Sequence, residues 1–533
     1  MKGGRIDGPA ALFFPDLRAC LPRHGVLDKG MGENDIRNIV IVGGGTAGWM
    51  AAAALSARLE RSIEIALIES DEIGTVGVGE ATIPHLKTFN AMLGIDEDEV
   101  LTFSQGTFKV GIQFDDWGEI GERYFHPFGV HGQDLRGVHF HQLYLSEARR
   151  RPLPDIREWS MSGAAAELGR FGRPGPDARL PLSQLSYAFH FDASLYARFL
   201  RRLAEANGIT RVEGKIVDAA IDPESGNITR VTLADGTTID GDLFIDCSGF
   251  RGLLIEEKLK TGYDDWSRWL ICDRAVAVQN HLAGPPDPFT RSIARASGWQ
   301  WRIPLQHRMG NGLVYSSAHM EHGEAEEALL SNLESEPSNQ PRHLSFTAGR
   351  RRLAWNANVV TLGLSSGFIE PLESTSIHLV QSGISKLIAL FPDKRFDPAE
   401  RAEYNRQMRD VYEDVRDFII LHYKATRRSD SAFWDYCRTM DVPDSLATKL
   451  ELWRTKGRLF REGHELFGTE SWVAVLLGQG IVPEDVEPAA AAIDPAFIAD
   501  ALDKMHTSYH RMAEQMPAHA DFIRQACPAT PPS

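Results

Sequence analysis

A short apolar run that leads directly into glycines constrains the fold of this chain more than any other feature. Residues 39–42 read Ile-Val-Ile-Val, and Gly43, Gly45 and Gly48 then occupy the first, third and sixth positions of a G-x-G-x-x-G motif. Such a run is typical of a buried parallel strand, and the alanine-rich residues 49–55 predict a helix after the turn. Glycines at these positions permit a tight turn, close approach to a pyrophosphate and close helix–strand packing. The stretch predicts a Rossmann-type α/β nucleotide-binding fold.

The second predicted strand, residues 63–69, ends on an acid. Glu69 follows Gly48 by about 20 residues, the spacing at which a carboxylate accepts hydrogen bonds from ribose hydroxyls in such folds. A strand-end glutamate facing water is the alternative. The backbone amides near Thr46 and Ala47, at the predicted helix start, would face the phosphates.

Composition limits the classes of protein that this chain can represent. Among its 533 residues, 43% are hydrophobic and 24% charged, as in ordinary soluble globular proteins. The formal net charge of −16 argues against a nucleic-acid partner. No apolar run is long enough to cross a bilayer, and we expect no membrane association. Five scattered cysteines without a C-x-x-C pair predict neither a disulfide framework nor a zinc site; we therefore expect no metal site and a cytoplasmic location.

Two tryptophans define a second motif. Trp299 and Trp301 precede Ile303-Pro304 in a W-x-W-x-I-P run, and side chains two residues apart lie on the same side of an extended strand. Pro304 ends or edges that strand. Core packing is the alternative. Together with the nucleotide-binding motif, this run resembles the flavin-dependent halogenases, the tryptophan halogenase family. The resemblance implies that Trp299, Trp301 and Pro304 lie between flavin and substrate and keep the aromatic substrate away from the flavin peroxide.

Two further segments match the same family. Residues 77–84 read G-V-G-E-A-T-I-P, and the resemblance implies that Gly79 and Ala81 pass close to the isoalloxazine. Residues 371–375 read P-L-E-S-T. By resemblance, Glu373 and Ser374 face the substrate, while the backbone amides of the next two residues, Thr375 and Ser376, hold halide beside the flavin. A helix N-terminal acid is the alternative interpretation of Glu373.

A lysine in the predicted strand of residues 107–114 would carry the chemistry. Lys109 stands among apolar neighbours; a solvated surface lysine is the alternative. The resemblance gives it the position of the family's essential lysine, which meets hypohalous acid and presents electrophilic halogen to the substrate. An ammonium could polarise the O–X bond, and a neutral amine could form a haloamine; the sequence leaves both open.

Three more residues complete the predicted site. The resemblance places His126 and Phe128 in an aromatic wall around the substrate ring, although clustered aromatics also form cores. Asp246, near the end of a predicted strand at 242–250, would either hold the ribityl chain or cap the following turn. We leave these two roles open.

The resemblance also implies the overall organisation: a fold similar to the flavoprotein monooxygenases, with a β-sheet substrate layer. We expect a flexible leader at residues 1–35, an FAD-binding catalytic domain at 36–395 and a helical region at 396–533 that completes the substrate pocket. The residues at 459–467 lack the tyrosine pair with which tryptophan halogenases hold the amino acid. We therefore expect free indole or another electron-rich aromatic as substrate.

The implied reaction begins with reduced FAD (FADH2) and oxygen, which give a flavin hydroperoxide. Chloride or bromide attacks it to form hypohalous acid, HOX. No second nucleotide-binding motif is present in the sequence, so we expect a separate NAD(P)H-dependent flavin reductase. A homodimer is compatible with the sequence. The alternative functions are an FAD-dependent aromatic hydroxylase and a flavoprotein with a redox-sensing or structural role.

Overall fold

The computed structural model of the protein describes residues 32–59, 62–72 and 79–530. Its strands, in chain order, are β1 (Asn38–Val42), β2 (Glu64–Glu69), β3 (Gly79–Ala81), β4 (Thr107–Lys109), β5 (Gly111–Asp115), β6 (Arg123–Pro127), β7 (Ala188–Asp192), β8 (Thr210–Glu213), β9 (Ile216–Ile221), β10 (Ile228–Leu233), β11 (Thr238–Asp240), β12 (Leu243–Asp246), β13 (Tyr263–Asp265), β14 (Arg274–His281), β15 (Thr290–Arg295), β16 (Gly298–Pro304), β17 (Arg308–Tyr315), β18 (Arg342–Ser345), β19 (Gly349–Arg351), β20 (Trp355–Asn356), β21 (Val359–Thr361) and β22 (Gly367–Phe368).

The α-helices are α1 (Thr46–Arg58), α2 (His85–Met92), α3 (Glu97–Phe103), α4 (Phe140–Ala148), α5 (Met161–Glu167), α6 (Ala193–Ala206), α7 (His322–Ser331), α8 (Ser376–Ala389), α9 (Pro398–Lys424), α10 (Ala432–Thr439), α11 (Asp444–Lys456), α12 (Thr469–Gly478), α13 (Pro488–Ala491), α14 (Pro495–Glu514) and α15 (His519–Ala526). Short 3-10 turns add to them, of which Ile156–Trp159 and Pro371–Glu373 matter below.

The nucleotide-binding motif opens a largely parallel sheet. Its six strands run in the order β20-β21-β12-β1-β2-β8, with β1 parallel to both β12 and β2. Residues 39–42 are buried on both faces. Ile39 and Ile41 share the core that contains α1, whereas Val40 and Val42 pack with apolar residues of β9, β10 and residues 253–255, so apolar side chains are favoured on both faces. The predicted Rossmann-type α/β fold is confirmed.

A second sheet carries the tryptophan pair. It has seven strands in the order β18-β14-β17-β16-β15-β5-β6, antiparallel except where β15 and β5 run parallel. Every residue of β16 is buried, since this strand lies in the middle of the sheet. The predicted β-sheet layer beside the Rossmann unit is therefore present.

The strand predicted at residues 107–114 is in fact two strands. Lys109 ends β4, which pairs with β7 in a three-stranded sheet with β3, whereas Gly111 begins β5 in the seven-stranded sheet. Between them the Val110 amide donates to the Pro288 carbonyl. A Cβ on Gly111 would lie 2.5 Å from the His126 carbonyl oxygen, so glycine permits the close approach of β6 at this break. The alternation of residues did not reveal the change of sheet, because both strands are buried.

From residue 398 onward the described chain consists of helices and loops. One buried hydrophobic cluster extends from Ile36 to Cys527, so the helical region shares the core of the rest of the molecule. The division at residue 395 remains a prediction. Most of the predicted leader, residues 1–31, lies outside the described residues. No helix among the described residues has the length and apolar character needed to cross a membrane.

Candidate active site

A cavity of about 530 Å³ lies at the carboxyl end of β1. Its walls include the G-x-G-x-x-G turn with the start of α1, the short strand β3, and the tryptophan face of β16. The carboxyl ends of parallel strands are where ligands bind in open α/β sheets. The described part of the second predicted flavin segment, Gly79 and Ala81, lines this cavity, whereas residues 73–78 lie outside the described residues.

The motif glycines serve two different purposes. Gly43 has φ +106°, and a Cβ there would lie 2.4 Å from the Cys247 carbonyl oxygen; a Cβ on Gly48 would lie 1.9 Å from that of Gly43. The fold itself requires these two glycines. A Cβ on Gly45 would meet no atom within 4 Å, and Gly45, Thr46 and Ala47 line the cavity. The open space at Gly45, next to the first amides of α1, fits a dinucleotide pyrophosphate.

Glu69 lines the same cavity at the end of β2. Its carboxylate accepts hydrogen bonds from Trp49 Nε1 at 3.3 Å and from the Arg211 guanidinium. The sequence did not indicate these partners, which lie on other elements. They hold the carboxylate at the cavity edge, and its contact with a ribose remains a prediction.

Asp246 takes the capping role, the second of the two alternatives left open by the sequence. One oxygen accepts from the Ser248 amide and hydroxyl, and the other accepts from the amides of Leu254 and Ile255 at 2.8 and 2.9 Å. The side chain is fully buried and does not belong to the described lining of the cavity. The carboxylate is therefore engaged by the turn that follows β12, and a role of Asp246 in holding the cofactor remains a prediction without a contact to the cavity.

Both tryptophans of β16 face the cavity. Trp299 and Trp301 line it with their ring centroids 6.1 Å apart. Opposite Trp301 stands Gly312 of β17, where a Cβ would lie 2.0 Å from the indole, so this glycine makes room for the ring. Pro304 ends the strand as predicted, and its carbonyl accepts from Thr107 Oγ1 at 2.7 Å. Of the pair and Pro304, only the two indoles belong to the described cavity lining.

A buried glutamate that sequence reasoning missed lies behind the pair. Trp299 Nε1 donates to Glu370 Oε2 at 2.8 Å, and the Tyr423 hydroxyl donates to the same oxygen at 2.5 Å. Burial raises the pKa of Glu370 to about 7. Glu370 stands three residues before Glu373 in the same segment. The sequence shows this acid, but it gives no sign that the partner is Trp299 on β16. The contact fixes the orientation of the Trp299 ring.

Lys109 is fully buried at the end of β4. Its Nζ donates to Ser374 Oγ at 2.7 Å and to the Thr82 carbonyl at 3.1 Å. Burial lowers the pKa of Lys109 to about 7, while Glu373 and Glu80 oppose this shift. Since Ser374, and not Lys109, belongs to the described cavity lining, the amine lies behind the wall, one hydrogen bond from the cavity.

Glu80 is a second missed acid, although it stands inside the G-V-G-E-A-T-I-P motif. It lines the cavity on β3. Burial raises its pKa to about 7, and Lys109 counteracts part of this shift. Lys109 is thus influenced by one carboxylate on the cavity side and by Glu373 on the other.

Glu373 accepts hydrogen bonds from two imidazoles. His126 Nδ1 lies 2.9 Å from Oε2 and His422 Nε2 lies 2.8 Å from Oε1. Burial alone would raise the pKa of Glu373, but the two histidines lower it to about 2. His422 comes from α9, and sequence reasoning missed it because a histidine near the end of an amphipathic helix carries no local sign of its partner. The carboxylate is held ionised inside the protein.

The segment after Glu373 turns sharply into α8. Ser374 has φ +60°, and Ser376 is the first residue of the helix. Thr375 is fully buried, and its Oγ1 has no hydrogen-bond partner among the described residues. The first amides of a helix lack intrahelical acceptors and favour anions. Ser376 lines the cavity, so an anion at this helix start would stand at the cavity wall.

Aromatic side chains surround the other face of this site. The His126 ring lies 5.8 Å from Phe418 and 6.3 Å from Phe467, whose rings stack at 3.9 Å. The Phe128 ring lies 5.1 Å from Lys109 Nζ and belongs with Ile83 and Ala188 to a small cluster against which Leu466 packs. Two residues of the predicted pocket stretch 459–467 therefore approach His126 and Phe128.

Comparison with known proteins gives a consistent assignment. Residues 38–495 match the tryptophan halogenase family model. A solved structure of Xcc4156, a flavin-dependent halogenase from Xanthomonas campestris, is 48% identical, with a TM-score of 0.91 over 94% of this chain and 100% of that chain. BrvH, a flavin-dependent halogenase from Brevundimonas sp. BAL3, is 45% identical with a TM-score of 0.89 over 92% and 99%.

A relative named for its substrate is more distant. Tryptophan 7-halogenase RebH from Lentzea aerocolonigenes is 34% identical over 92% of this chain and 98% of its own length. The family match covers most of the chain, and the matches extend over nearly the full length of these relatives. The chain therefore belongs to the tryptophan halogenase family of flavin-dependent halogenases.

Proposed function

We propose that this enzyme generates hypohalous acid in the glycine-lined cavity and halogenates an electron-rich aromatic beside Lys109. The observation that carries the proposal is the buried Lys109 amine, one hydrogen bond behind Ser374 of the cavity wall. Neither Lys109 nor Glu373 is needed to hold a nucleotide. Their pairing inside the molecule favours a catalytic flavoprotein over one that uses FAD for structure or sensing.

The cavity accepts FAD through residues that this chain supplies. Gly43 and Gly45 with the amides near Thr46 and Ala47 would hold the pyrophosphate, Gly48 would contribute through the close turn that it permits, and Glu69 would take the ribose. Gly79 and Ala81 would pass the flavin ring. When bound in its reduced form, FAD supplies the reducing equivalents with which oxygen and chloride or bromide give hypohalous acid.

The start of α8 is the proposed halide site. The amides of Thr375 and Ser376 lie at a helix N-terminus. The Thr375 hydroxyl, which has no hydrogen-bond partner among the described residues, offers a further donor. Both features favour a small anion. Chloride and bromide meet these requirements equally well.

The indole pair confines the aromatic substrate. Trp299 and Trp301 cover the cavity on the β16 side, and Glu370 fixes Trp299 from behind. We infer that an aromatic ring beside His126 and Phe128 stays out of contact with the flavin, while hypohalous acid is small enough to pass Ser374. Exclusion of water along this route would keep the oxidant from escaping.

Lys109 and Glu373 would complete the transfer. A pKa of about 7 makes both forms of Lys109 available near neutral pH, so the ammonium can polarise the O–X bond and the free amine can carry halogen. Glu373, ionised by its two histidine partners, acts as an acceptor. It can take the proton that the ring loses on rearomatisation.

The proposed substrate lacks an amino-acid head group. In the stretch 459–467, the buried Glu465 pairs with Lys449, so its charge is already neutralised and is unsuited to hold a substrate ammonium. The two solved relatives with the higher identity are named as flavin-dependent halogenases, without a substrate. Free indole is therefore the first substrate to test.

The reaction further requires a source of reduced flavin. We infer a separate NAD(P)H-dependent flavin reductase as partner. The free cysteines Cys247, Cys272, Cys437 and Cys527 suit a reducing compartment such as the cytoplasm, and a homodimer remains a proposal. Incubation with FAD, a reductase, and chloride or bromide, followed by mass spectrometry of an indole panel, tests the function. Absence of halogenated product from every electron-rich arene would refute it.

A further inference from the structure

A cluster of metal-ligand side chains lies outside the active site. His506 and His510 stand four residues apart on α14, and Glu158 reaches them from the 3-10 turn Ile156–Trp159. The nearest ligand atoms of the three side chains all lie within 4.8 Å of one another. Among the described residues this is the one group of three or more His, Cys, Asp or Glu side chains with such spacing.

The distances within the cluster are close to those of a coordination sphere. Glu158 Oε2 lies 2.7 Å from His506 Nε2 and 3.6 Å from His510 Nε2. Ligand atoms of a tetrahedral zinc ion, bound at about 2.0–2.1 Å, lie roughly 3.3 Å apart. The two distances bracket this value, so small rotations of the side chains would bring the three atoms into register around one ion.

One atom of the cluster makes no hydrogen bond. His510 Nε2 is buried and has no hydrogen-bond partner within the described structure. Its contact with Glu158 Oε2, at 3.6 Å, is longer than a hydrogen bond, whereas His506 Nε2 lies at 2.7 Å from the same oxygen. Histidines at i and i+4 lie on the same face of a helix, which presents both Nε2 atoms toward the same carboxylate.

We propose that Glu158, His506 and His510 bind a divalent transition-metal ion, with Zn²⁺ the best match. Two imidazole nitrogens and one carboxylate oxygen are a donor set that zinc accepts, with a fourth position for water. Mg²⁺ and Ca²⁺ prefer oxygen-rich sites. The expectation of no metal site rested on the cysteines alone, and this cluster uses none.

The bound ion would fasten the C-terminal helices to the rest of the fold. Trp159, next to Glu158, is buried, and its Nε1 donates to the Leu502 carbonyl of α14 at 2.8 Å. The His506 ring lies 5.2 Å from the Trp159 ring. A metal at the cluster would join the same two elements through three further bonds and would stabilise the folded chain by mass action.

The test is titration of the full-length, EDTA-treated and desalted protein with ZnCl2 by calorimetry. We expect one tight equivalent of Zn²⁺ and a higher melting temperature in its presence. His510→Gln and Glu158→Gln should weaken this binding by roughly 100-fold or more, since each removes a direct ligand. The His343→Gln variant is the control: His343 also pairs with a glutamate, Glu326, at 2.7 Å, but among the described residues this pair does not belong to a group of three ligand side chains with the spacing of the cluster.

Melting temperatures in EDTA show whether each variant folds. Should the variants fail to fold, the visible spectrum of Co²⁺ bound to the wild type replaces them, with intense absorption expected from a tetrahedral site. Absence of a tight equivalent in the wild type, unchanged binding in the variants, or the weak spectrum of octahedral Co²⁺ would overturn the proposal.

Discussion

The Lys109 amine donates a hydrogen bond of 2.7 Å to the Ser374 hydroxyl. The lysine ends a strand of the small sheet, and the serine, with φ +60°, turns the chain into α8 at the cavity wall. Their hydrogen bond links the buried amine to the wall of the cavity that the glycine motif lines. A reactive species made in the cavity therefore needs to pass one side chain to reach the amine.

Replacement of Lys109 by alanine should abolish halogenation and leave flavin binding intact. Loss of a group that activates the oxidant is expected to lower kcat by about 10²–10⁴-fold, because no other described lysine lies beside Ser374. The measurement is product formation together with FAD affinity. Lys504→Ala, at an exposed residue of α14, is the control. Loss of FAD binding along with activity would assign Lys109 a structural role.

The burial of Lys109 also predicts how stability varies with pH. The folded protein releases the lysine proton near pH 7, whereas the unfolded chain retains it up to about 10.5. Because the unfolded state binds more protons in this window, the free energy of unfolding should rise from pH 7 toward 10.5. Lys109→Met removes this contribution, so the wild type should gain stability relative to the variant as pH rises. If chemical denaturation gave the same pH dependence of the free energy of unfolding for the wild type and Lys109→Met, this prediction would be contradicted.

Removal of one imidazole beside Glu373 should shift the acidic limb of the activity profile. His422→Asn deletes the hydrogen bond to Glu373 Oε1, and the pKa of Glu373, now about 2, should move up toward its ordinary 4.5. The kcat/KM of the variant should then begin to fall at a higher pH than that of the wild type. A profile lowered uniformly at every pH would mean that His422 acts through packing alone.

Glu370 should affect how much halogenated product forms per NADH consumed, although it does not bind the substrate. Glu370→Leu leaves the indole N–H of Trp299 and the Tyr423 hydroxyl buried without their acceptor, at a cost of about 1–3 kcal/mol each. We expect lower stability and several-fold less halogenated product per NADH consumed, because the indole wall loses its support. Glu370→Gln keeps an acceptor oxygen and is the matched control. Equal yields of halogenated product per NADH in the two variants would contradict this role of Glu370.

Free indole should be a better substrate than L-tryptophan. The Glu465 carboxylate is neutralised by Lys449, and burial of an unpaired substrate ammonium or carboxylate is costly. We expect kcat/KM for indole to exceed that for L-tryptophan by roughly tenfold or more. Preference for L-tryptophan would show that other residues of the pocket bind the amino-acid head group.

Local patterns allowed much of the fold to be predicted. The strand–glycine–helix unit, the extended conformation of the W-x-W strand and the helical C-terminal region all follow from periodicity and turn residues within a few positions. The break between Lys109 and Gly111 was missed, because a change of sheet leaves no mark on a buried apolar strand.

The partners within the site depend on contacts between distant segments. His422, on α9, donates a hydrogen bond to Glu373, and Trp299, on β16, donates one to Glu370. The Asp246 carboxylate accepts hydrogen bonds from amides of the turn that follows it. Such pairings are set by packing of the whole chain. The spacing of His506 and His510 was visible in the sequence, but Glu158 joins them only in the folded protein.

The most direct test of the account is product analysis by mass spectrometry with ¹⁸O2, reduced flavin from a reductase, and indole, with and without bromide. The account predicts a brominated product free of ¹⁸O, formed only when halide is present. A hydroxylated product that carries ¹⁸O and forms without halide would contradict it, since the arene would then have reached the flavin directly.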